Sequence, residues 1–185
     1  MDYTDTFSGK RIFPFAPEVE QISILDIAHA LSNICRFGGH TKEFYSVAQH
    51  SILVSQHCDP TDALWGLLHD ASEAYIGDLT KPIKQLEELK PYRDAEDRLH
   101  RVISIKFKLS ETIPESVKRA DKVMLMTEKR DLMKAADLRV KQNIDIKPLP
   151  KRIIPLPPKT SEQLFMERFN SLMSLAETAH PQFGG

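Results

Sequence analysis

Residues 66–78 read "GLLHDASEAYIGD", which sets a histidine and an aspartate side by side within an apolar run. Leu67 and Leu68 lead into His69-Asp70, and Ala71, Ala74, Tyr75 and Ile76 follow. That spacing predicts a helix packed into a core. Charge inside such a helix is costly unless it is paired or bound to a metal. Glu73 lies one turn after His69, and Asp78 follows it, so the stretch calls for a helical fold and a chemical site together.

The helical pattern continues on both sides. "SILDIAHALSNICRF" (23–37) keeps Ile24, Ile27, Ala28, Leu31 and Ile34 at helical spacing, with Ser23 and Asp26 as an S-x-x-D start signal and "GGH" (38–40) as its end. "TKEFYSVAQHSILVSQHC" (41–58) reads as a second helix. Asp59 as N-cap with Pro60 after it predicts a third, running to about Tyr75. "GDLTKPIKQL" (77–86) is a loop with a short helical turn. "YRDAEDRLHRVISIKFKL" (92–109) is the fourth helix, and Pro114 opens a fifth that continues past Met133. Pro148, Pro150, Pro155, Pro157 and Pro158 make 138–158 an irregular, extended connection. A last helix is expected over 160–178, with Thr160 and Gln163 in capping-box positions. Residues 1–21 read as an irregular N-terminal segment with turns or a short hairpin. The expected fold is an all-α single domain over 1–185, a bundle of about six helices.

Composition narrows the function classes. The chain has 185 residues, 41% hydrophobic and 28% charged, enough for one substantial core. Its 25 basic and 26 acidic residues leave a net charge of -1, which argues against a whole-protein grip on nucleic acid. Cys35 and Cys58 form no C-x-x-C pair, so a reducing, cytoplasmic setting is expected rather than a disulfide scaffold. No apolar run reaches membrane-spanning length and the N-terminus has no signal-peptide core, so no membrane association is expected.

His69 and Asp70 point about 100° apart on an ideal helix and are not an i, i+4 ligand pair. They can meet one ion that lies beside the helix if neighbouring helices complete the shell. His50 in the preceding helix and Asp121 in "KRADKVML" (118–125) are candidates. A His/His/Asp/Asp set suits one divalent transition metal such as Zn, Co, Mn, Ni or Fe.

The order His50, His69-Asp70, Asp121 resembles the H…HD…D signature of the HD-domain metal-dependent phosphohydrolases. "ICRFGGHTKEFYSVAQHS" (34–51), "ALWGLLHDASEAYIGDLTKPIK" (63–84) and "VKRADKVMLMTEKRDLM" (117–133) resemble the subgroup of bacterial deoxyribonucleoside 5'-nucleotidases and phage dATP triphosphohydrolases of the DatZ type. The resemblance covers roughly Ile22 to Met133. It implies an all-α HD domain, one metal ion held by His50, His69, Asp70 and Asp121, and phosphoester hydrolysis. It also implies that Glu73 handles the attacking water and that Asp78 is a second acid near the scissile bond. By the same resemblance Arg36 contacts phosphate, Phe37 packs near the nucleoside, and Lys81, Lys84 and Lys118 are candidates for outer phosphates. The i+4 spacing independently sets Glu73 on the His69 side. Ala-Ser-Glu after the HD pair departs from the H-D-x-G-K of dinuclear cyclic-dinucleotide phosphodiesterases, so a mononuclear site is expected.

The implied reaction is hydrolysis of a 2'-deoxynucleotide at the α-phosphate. A dNTP, foremost dATP, would give deoxynucleoside and tripolyphosphate, with a second ion able to accompany the phosphates. The alternative is a 5'-deoxynucleotidase acting on dNMPs. A different class is a non-catalytic helical binding module whose metal is structural, which would leave Glu73 and Arg36 without purpose. The resemblance further implies a homo-oligomer, dimer or hexamer, in the cytoplasm, that of the host if the gene is phage-borne. Plainer readings hold elsewhere. His29 packs internally, His40 caps a helix or sits near the site entrance, and His57, His100 and His180 are structural or surface. Trp65, Met124, Met126 and Met133 are core, and "EKRD" (128–131) is a solvated face carrying ion pairs.

Overall fold

The computed structural model describes residues 2–134 and 146–179, with side chains through 175. Thr4–Asp5 (β1) and Arg11–Ile12 (β2) pair as a short antiparallel hairpin. The helices are α1 Ile24–Asn33, α2 Val47–His57, α3 Ala63–Leu68, α4 Glu73–Ile76, α5 Lys81–Lys84, α6 Lys90–Lys106, α7 Glu115–Leu132 and α8 Pro158–Ala179. The architecture is the expected all-α bundle, with the hairpin at its N-terminal end.

α2 is the central element and packs against α1, α3, α7 and α8. It is buried almost all round, including Gln49, His50, Ser51 and Ser55, so each polar group needs an internal partner. Ser55 Oγ donates to Ala63 O at 2.7 Å and accepts from Arg168 Nε of α8 at 3.0 Å. On one side Val47, Ala48 and Ile52 join Ile27, Leu31, Leu67, Leu99, Ile103 and Phe165 in the main core. On the other, Val54 packs with Trp65, Val117, Ala120 and Met124. Each large apolar side chain so buried contributes on the order of 1.5–3 kcal/mol. Trp65 and Met124 are core, as expected, and Trp65 Nε1 donates to Ser110 Oγ at 2.8 Å.

Several boundaries differ from the sequence reading. α1 stops at Asn33, because Ile34 and Cys35 turn extended and pair with the chain entering α2. Cys35 bridges Ser46, Val47 N donates to Ile34 O at 3.0 Å, and Arg36 N donates to Tyr45 O at 2.9 Å. α2 therefore starts at Val47, not Thr41, with the Ser46 hydroxyl accepting from Gln49 N at 3.1 Å. Ser23 is the N-cap of α1 without a side-chain bond, and Asp26 instead accepts from Ser8 N at 2.6 Å and Ser8 Oγ at 2.9 Å. α8 begins at Pro158, so Thr160 and Gln163 lie inside it, and Gln163 Nε2 reaches Glu167 Oε1 at 2.9 Å.

The described part of the proline-rich connection, 146–157, has no helix or strand and is bonded along α2 and α7. The remainder, 138–145, lies outside the described residues. Gln49 holds the connection with both ends of its amide, donating to Ile154 O at 2.8 Å and accepting from Leu156 N at 2.9 Å. Thr127 Oγ1 accepts from Leu149 N at 2.9 Å, and Asp131 Oδ2 from Ile153 N at 2.9 Å. Gln49 and Thr127 immediately precede His50 and Glu128 in sequence.

Candidate metal centre

The expected third helix is interrupted at the HD pair. α3 ends at Leu68, and the backbone then closes by three-residue steps: Ala71 N to Leu68 O at 3.0 Å, Glu73 N to Asp70 O at 3.0 Å, and Tyr75 N to Ser72 O at 3.0 Å. His69 and Asp70 thus sit on a tightened, 3₁₀-like turn between α3 and α4. The same turn lets His69 Nδ1 donate to the Gly66 carbonyl at 2.8 Å. At Gly66 the backbone of α3 packs tightly against Ser55 of α2 and the Cys58 that ends it. A Cβ there would lie 2.8 Å from Cys58 Sγ and 2.9 Å from Ser55 Cα. Close approach of the two backbones sets His50 against His69.

The two Nε2 atoms face each other at 3.3 Å. Asp121 Oδ1 lies 3.2 Å from His50 Nε2, and Asp70 Oδ2 lies 3.3 Å from His69 Nε2 and 3.7 Å from His50 Nε2. The ligand atoms of His50, His69 and Asp121 all lie within 4.8 Å of one another, so the group can hold one metal ion. The chemistry of the donor set fits such an ion. His69 Nδ1 is committed to a carbonyl, and His50 Nδ1 to the Glu128 carboxylate at 2.6 Å. A cation that displaced any proton on the two Nε2 atoms would find both lone pairs aimed at the same point.

Electrostatics agree. Burial alone would raise the carboxyl of Asp70, but His69, His50 and Arg36 hold it below the usual range. Burial acts the same way on Asp121 and is outweighed by the His50 hydrogen bond and charge, with help from His69 and Arg36. His50 is pulled down by burial and Arg36, yet Glu128 and Asp121 raise it to about 9. Three ionised carboxylates, Asp70, Asp121 and Glu128, thus face one guanidinium. The excess negative charge suits a divalent ion.

Two curated relatives are similar in sequence. YfdR, an uncharacterized protein of Escherichia coli (strain K12), is 41% identical over 181 residues, 97% of this chain and 100% of the relative. An uncharacterized protein of Rhodobacter capsulatus is 37% identical over 124 residues, 62% of this chain and 63% of that relative. No family model matches the chain.

The chain belongs to the YfdR family.

In this YfdR-family chain the other expected site residues are placed unevenly. Arg36 lies on a short turn after α1, Arg36–Gly39, not at the end of α1 itself. Its Nη1 is 3.3 Å from Asp70 Oδ2 and its Nη2 3.3 Å from Glu128 Oε2, while Nε is buried without a partner among the described residues. Burial works against the Arg36 charge, but Glu128 and Asp70 keep the guanidinium firmly protonated. Phe37 stacks beside it, with the Arg36 Cζ 5.4 Å from the ring centre, in a left-handed backbone conformation (φ 56°) that costs an L-residue about 1–2 kcal/mol. Glu73 is buried, and its Oε2 has no partner among the described residues. Burial, Asp70 and Asp78 push its carboxyl well above the usual range. Asp78 is half-buried and also raised, by burial and by Asp70. Lys84 is paired with Glu96 and acts electrostatically on Glu73 and Asp78. Lys118, one turn before Asp121, is 53% exposed and pairs with Glu115 of its own helix at 3.7 Å. Lys81 is exposed, and the structure gives it no bond to the site.

Sequence reasoning missed Glu128. The "EKRD" run is not uniformly solvated: Lys129 and Arg130 are exposed and Arg130 pairs with Asp131 at 2.7 Å, but Glu128 is completely buried. It accepts from Tyr45 Oη at 2.9 Å, from His50 Nδ1 and from Arg36 Nη2. A usable signal was present in the period of α7, because Glu128 lies seven residues after Asp121 and so on the same face. His29 packs and bonds within the chain, as expected, stacked on Phe7 at 3.7 Å and bonded to Glu162 at 3.2 Å, though its side chain is 35% exposed. His100 is structural and packs beside the turn, with its Nε2 2.9 Å from Ser72 Oγ.

Proposed function

We propose that the protein is a divalent-metal-dependent phosphohydrolase of the HD-domain type that cleaves a 2'-deoxynucleotide at the α-phosphate. The observation that carries this reading is the asymmetry of the ligand set. His50 is completely buried, whereas the Asp121 side chain is 42% exposed. A structural ion is normally enclosed by four protein ligands, while a catalytic one keeps a position open to substrate.

When bound there, a divalent ion supplies Lewis-acid stabilisation of a phosphoryl oxygen and acidifies water. His50, His69, Asp70 and Asp121 would hold it. Glu73, buried and with a free carboxylate oxygen, orients the attacking water and takes its proton. Its raised pKa makes it a stronger base than an exposed glutamate. The water oxygen forms the new bond to phosphorus, the P–O5' bond breaks, and the 5'-oxygen leaves as the deoxynucleoside hydroxyl after protonation. Arg36, whose guanidinium bridges Asp70 and Glu128, offsets phosphate charge from beside the cluster. Phe37 packs against the nucleoside.

The first substrate to test is dATP, on the resemblance of the 34–51 segment to phage triphosphohydrolases. A dNMP is the second reading, favoured by one observation: Arg36 is drawn into the cluster, while Lys118 and Lys81 are not. The metal-loaded protein is incubated with dNTPs, dNMPs and ribonucleotides, and tripolyphosphate and phosphate are resolved. Tripolyphosphate from dATP selects the first reading, and phosphate from several dNMPs selects the second. No turnover with Mn, Co or Zn, together with unfolding on chelation, would overturn both in favour of a structural ion. Glu73→Ala retains the metal and loses turnover; full activity in that variant sinks the proposed role. The same reading includes a dimer or hexamer, which light scattering tests.

A further inference from the structure

We infer that Glu128 is a positioning residue for the metal centre, setting two of its ligands at once. This deepens the hydrolase reading and rests on it.

α7 holds both nitrogens of the His50 ring. Asp121 Oδ1 reaches Nε2 at 3.2 Å, and Glu128 Oε1 reaches Nδ1 at 2.6 Å. The two acids are seven residues apart, so an α-helix brings them to nearly the same azimuth about 10 Å apart along its axis. The imidazole lies between them. A carboxylate has no hydrogen to donate, so the Nδ1 contact requires the proton to be on Nδ1. That leaves the Nε2 lone pair aimed at the ion.

The second ligand is set through Arg36. Glu128 Oε2 accepts from Nη2 at 3.3 Å, and Nη1 reaches Asp70 Oδ2 at 3.3 Å. One buried carboxylate thus orients His50 directly and Asp70 through a guanidinium. Tyr45 Oη completes the arrangement by donating to Oε1 at 2.9 Å. Glu128 accepts from three donors and gives to none. Glutamine matches its shape but cannot match that role, because its amide NH₂ must face one of the donors. Facing His50, it moves the imidazole proton to Nε2 and blocks ligation. Facing Arg36, it repels the group that steadies Asp70.

The test uses the full chain with ¹⁵N-labelled histidine, and Zn²⁺ as the probe. In the wild-type protein the His50 Nδ1–H is expected as a downfield, slowly exchanging proton signal, with or without metal. Glu128→Gln is expected to weaken Zn²⁺ binding about 10–100-fold, the usual cost of losing the partner of a metal-bound histidine, and to remove or shift that signal. Tyr45→Phe, which loses a bond to the same oxygen but leaves the carboxylate, is expected to keep Zn²⁺ affinity within about threefold. The two variants are matched by thermal unfolding, so a merely structural role would affect both alike. Unchanged Zn²⁺ affinity with an unchanged Nδ1–H signal in Glu128→Gln overturns the inference. If that variant does not fold, absence of the signal from wild-type protein overturns it equally. Wild-type protein that binds no divalent ion defeats the hydrolase reading instead, and the Nδ1–H signal still reports whether Glu128 orients His50.

Discussion

Asp121 and Glu128 stand on the same face of α7 and hold the same imidazole, yet Asp121 is 42% exposed and Glu128 is completely buried. The buried side of the centre consists of Glu128, Tyr45, His50 and the Arg36 guanidinium, and it is built as core. The open side consists of Asp121, Asp70, Asp78 and the neighbourhood of Lys84, and on the proposed function it is the side a substrate would approach. Changes on the buried side are therefore felt first as lost stability, and changes on the open side as lost chemistry. Glu73 bridges the two, being buried but unpaired.

The sharpest way to break this division is at Glu73. Glu73→Gln is expected to lower kcat by roughly 10²–10⁴-fold, the usual range for a general acid–base group. Because the substitution replaces a buried ionisable group, the unfolding midpoint in urea should not fall. A large loss of stability would place Glu73 with the core instead. Glu128→Ala is the converse case. It leaves the Arg36 guanidinium and Tyr45 hydroxyl buried without their acceptor, and should cost about 3–5 kcal/mol in equilibrium unfolding.

The pH dependence probes His50, where the two sides meet. Its pKa is raised from 6.5 to about 9, so the metal-free folded protein holds a proton that a metal must displace. Metal affinity is expected to rise about tenfold per pH unit from 6.5 up to about 9, then level off, as titration calorimetry can follow. The sign for stability is opposite. A raised pKa stabilises the metal-free fold fully below 6.5, and this contribution is lost as pH climbs through 9. A smaller effect is expected at the α2–α3 contact. Gly66→Ala presses a methyl group against Ser55 Cα and should cost about 1–3 kcal/mol while spreading His50 from His69. Smallest is Lys118→Ala, an exposed change expected within about 0.5 kcal/mol of wild type. Should it nonetheless raise KM for a triphosphate and not for a monophosphate, Lys118 belongs to the open side.

That His69 and Asp70 belong to a cluster of facing ligand atoms could be read from sequence, because charge in an apolar helix demands a partner. Glu128 could not be read in the same way. It lies in a charged run, and its partners Tyr45, His50 and Arg36 are 83, 78 and 92 residues away. Local periodicity also carried the first helix too far. Ile34 is apolar at the correct helical step, but the backbone pairing of Cys35 with Ser46 ends the helix earlier. The start of α2 was readable in principle from Ser46 and Gln49, an S-x-x-Q signal that the apolar run from Phe44 obscured. The broken turn at His69–Ser72 was not readable, because no glycine or proline marks it and the His69 bond to the Gly66 carbonyl that accompanies it shows only in three dimensions.

The exposure gradient across the ligands also governs traffic. His50 and His69 close the inner side, so an ion held here would enter and leave on the side of Asp121 and Asp70. A chelator is therefore expected to remove a bound ion without unfolding the bundle, and a circular-dichroism melt before and after chelation tests it. On the proposed function, the same opening would admit the nucleotide. Once a phosphate is seated there the ion is trapped behind it, so metal exchange slows while substrate or product remains bound.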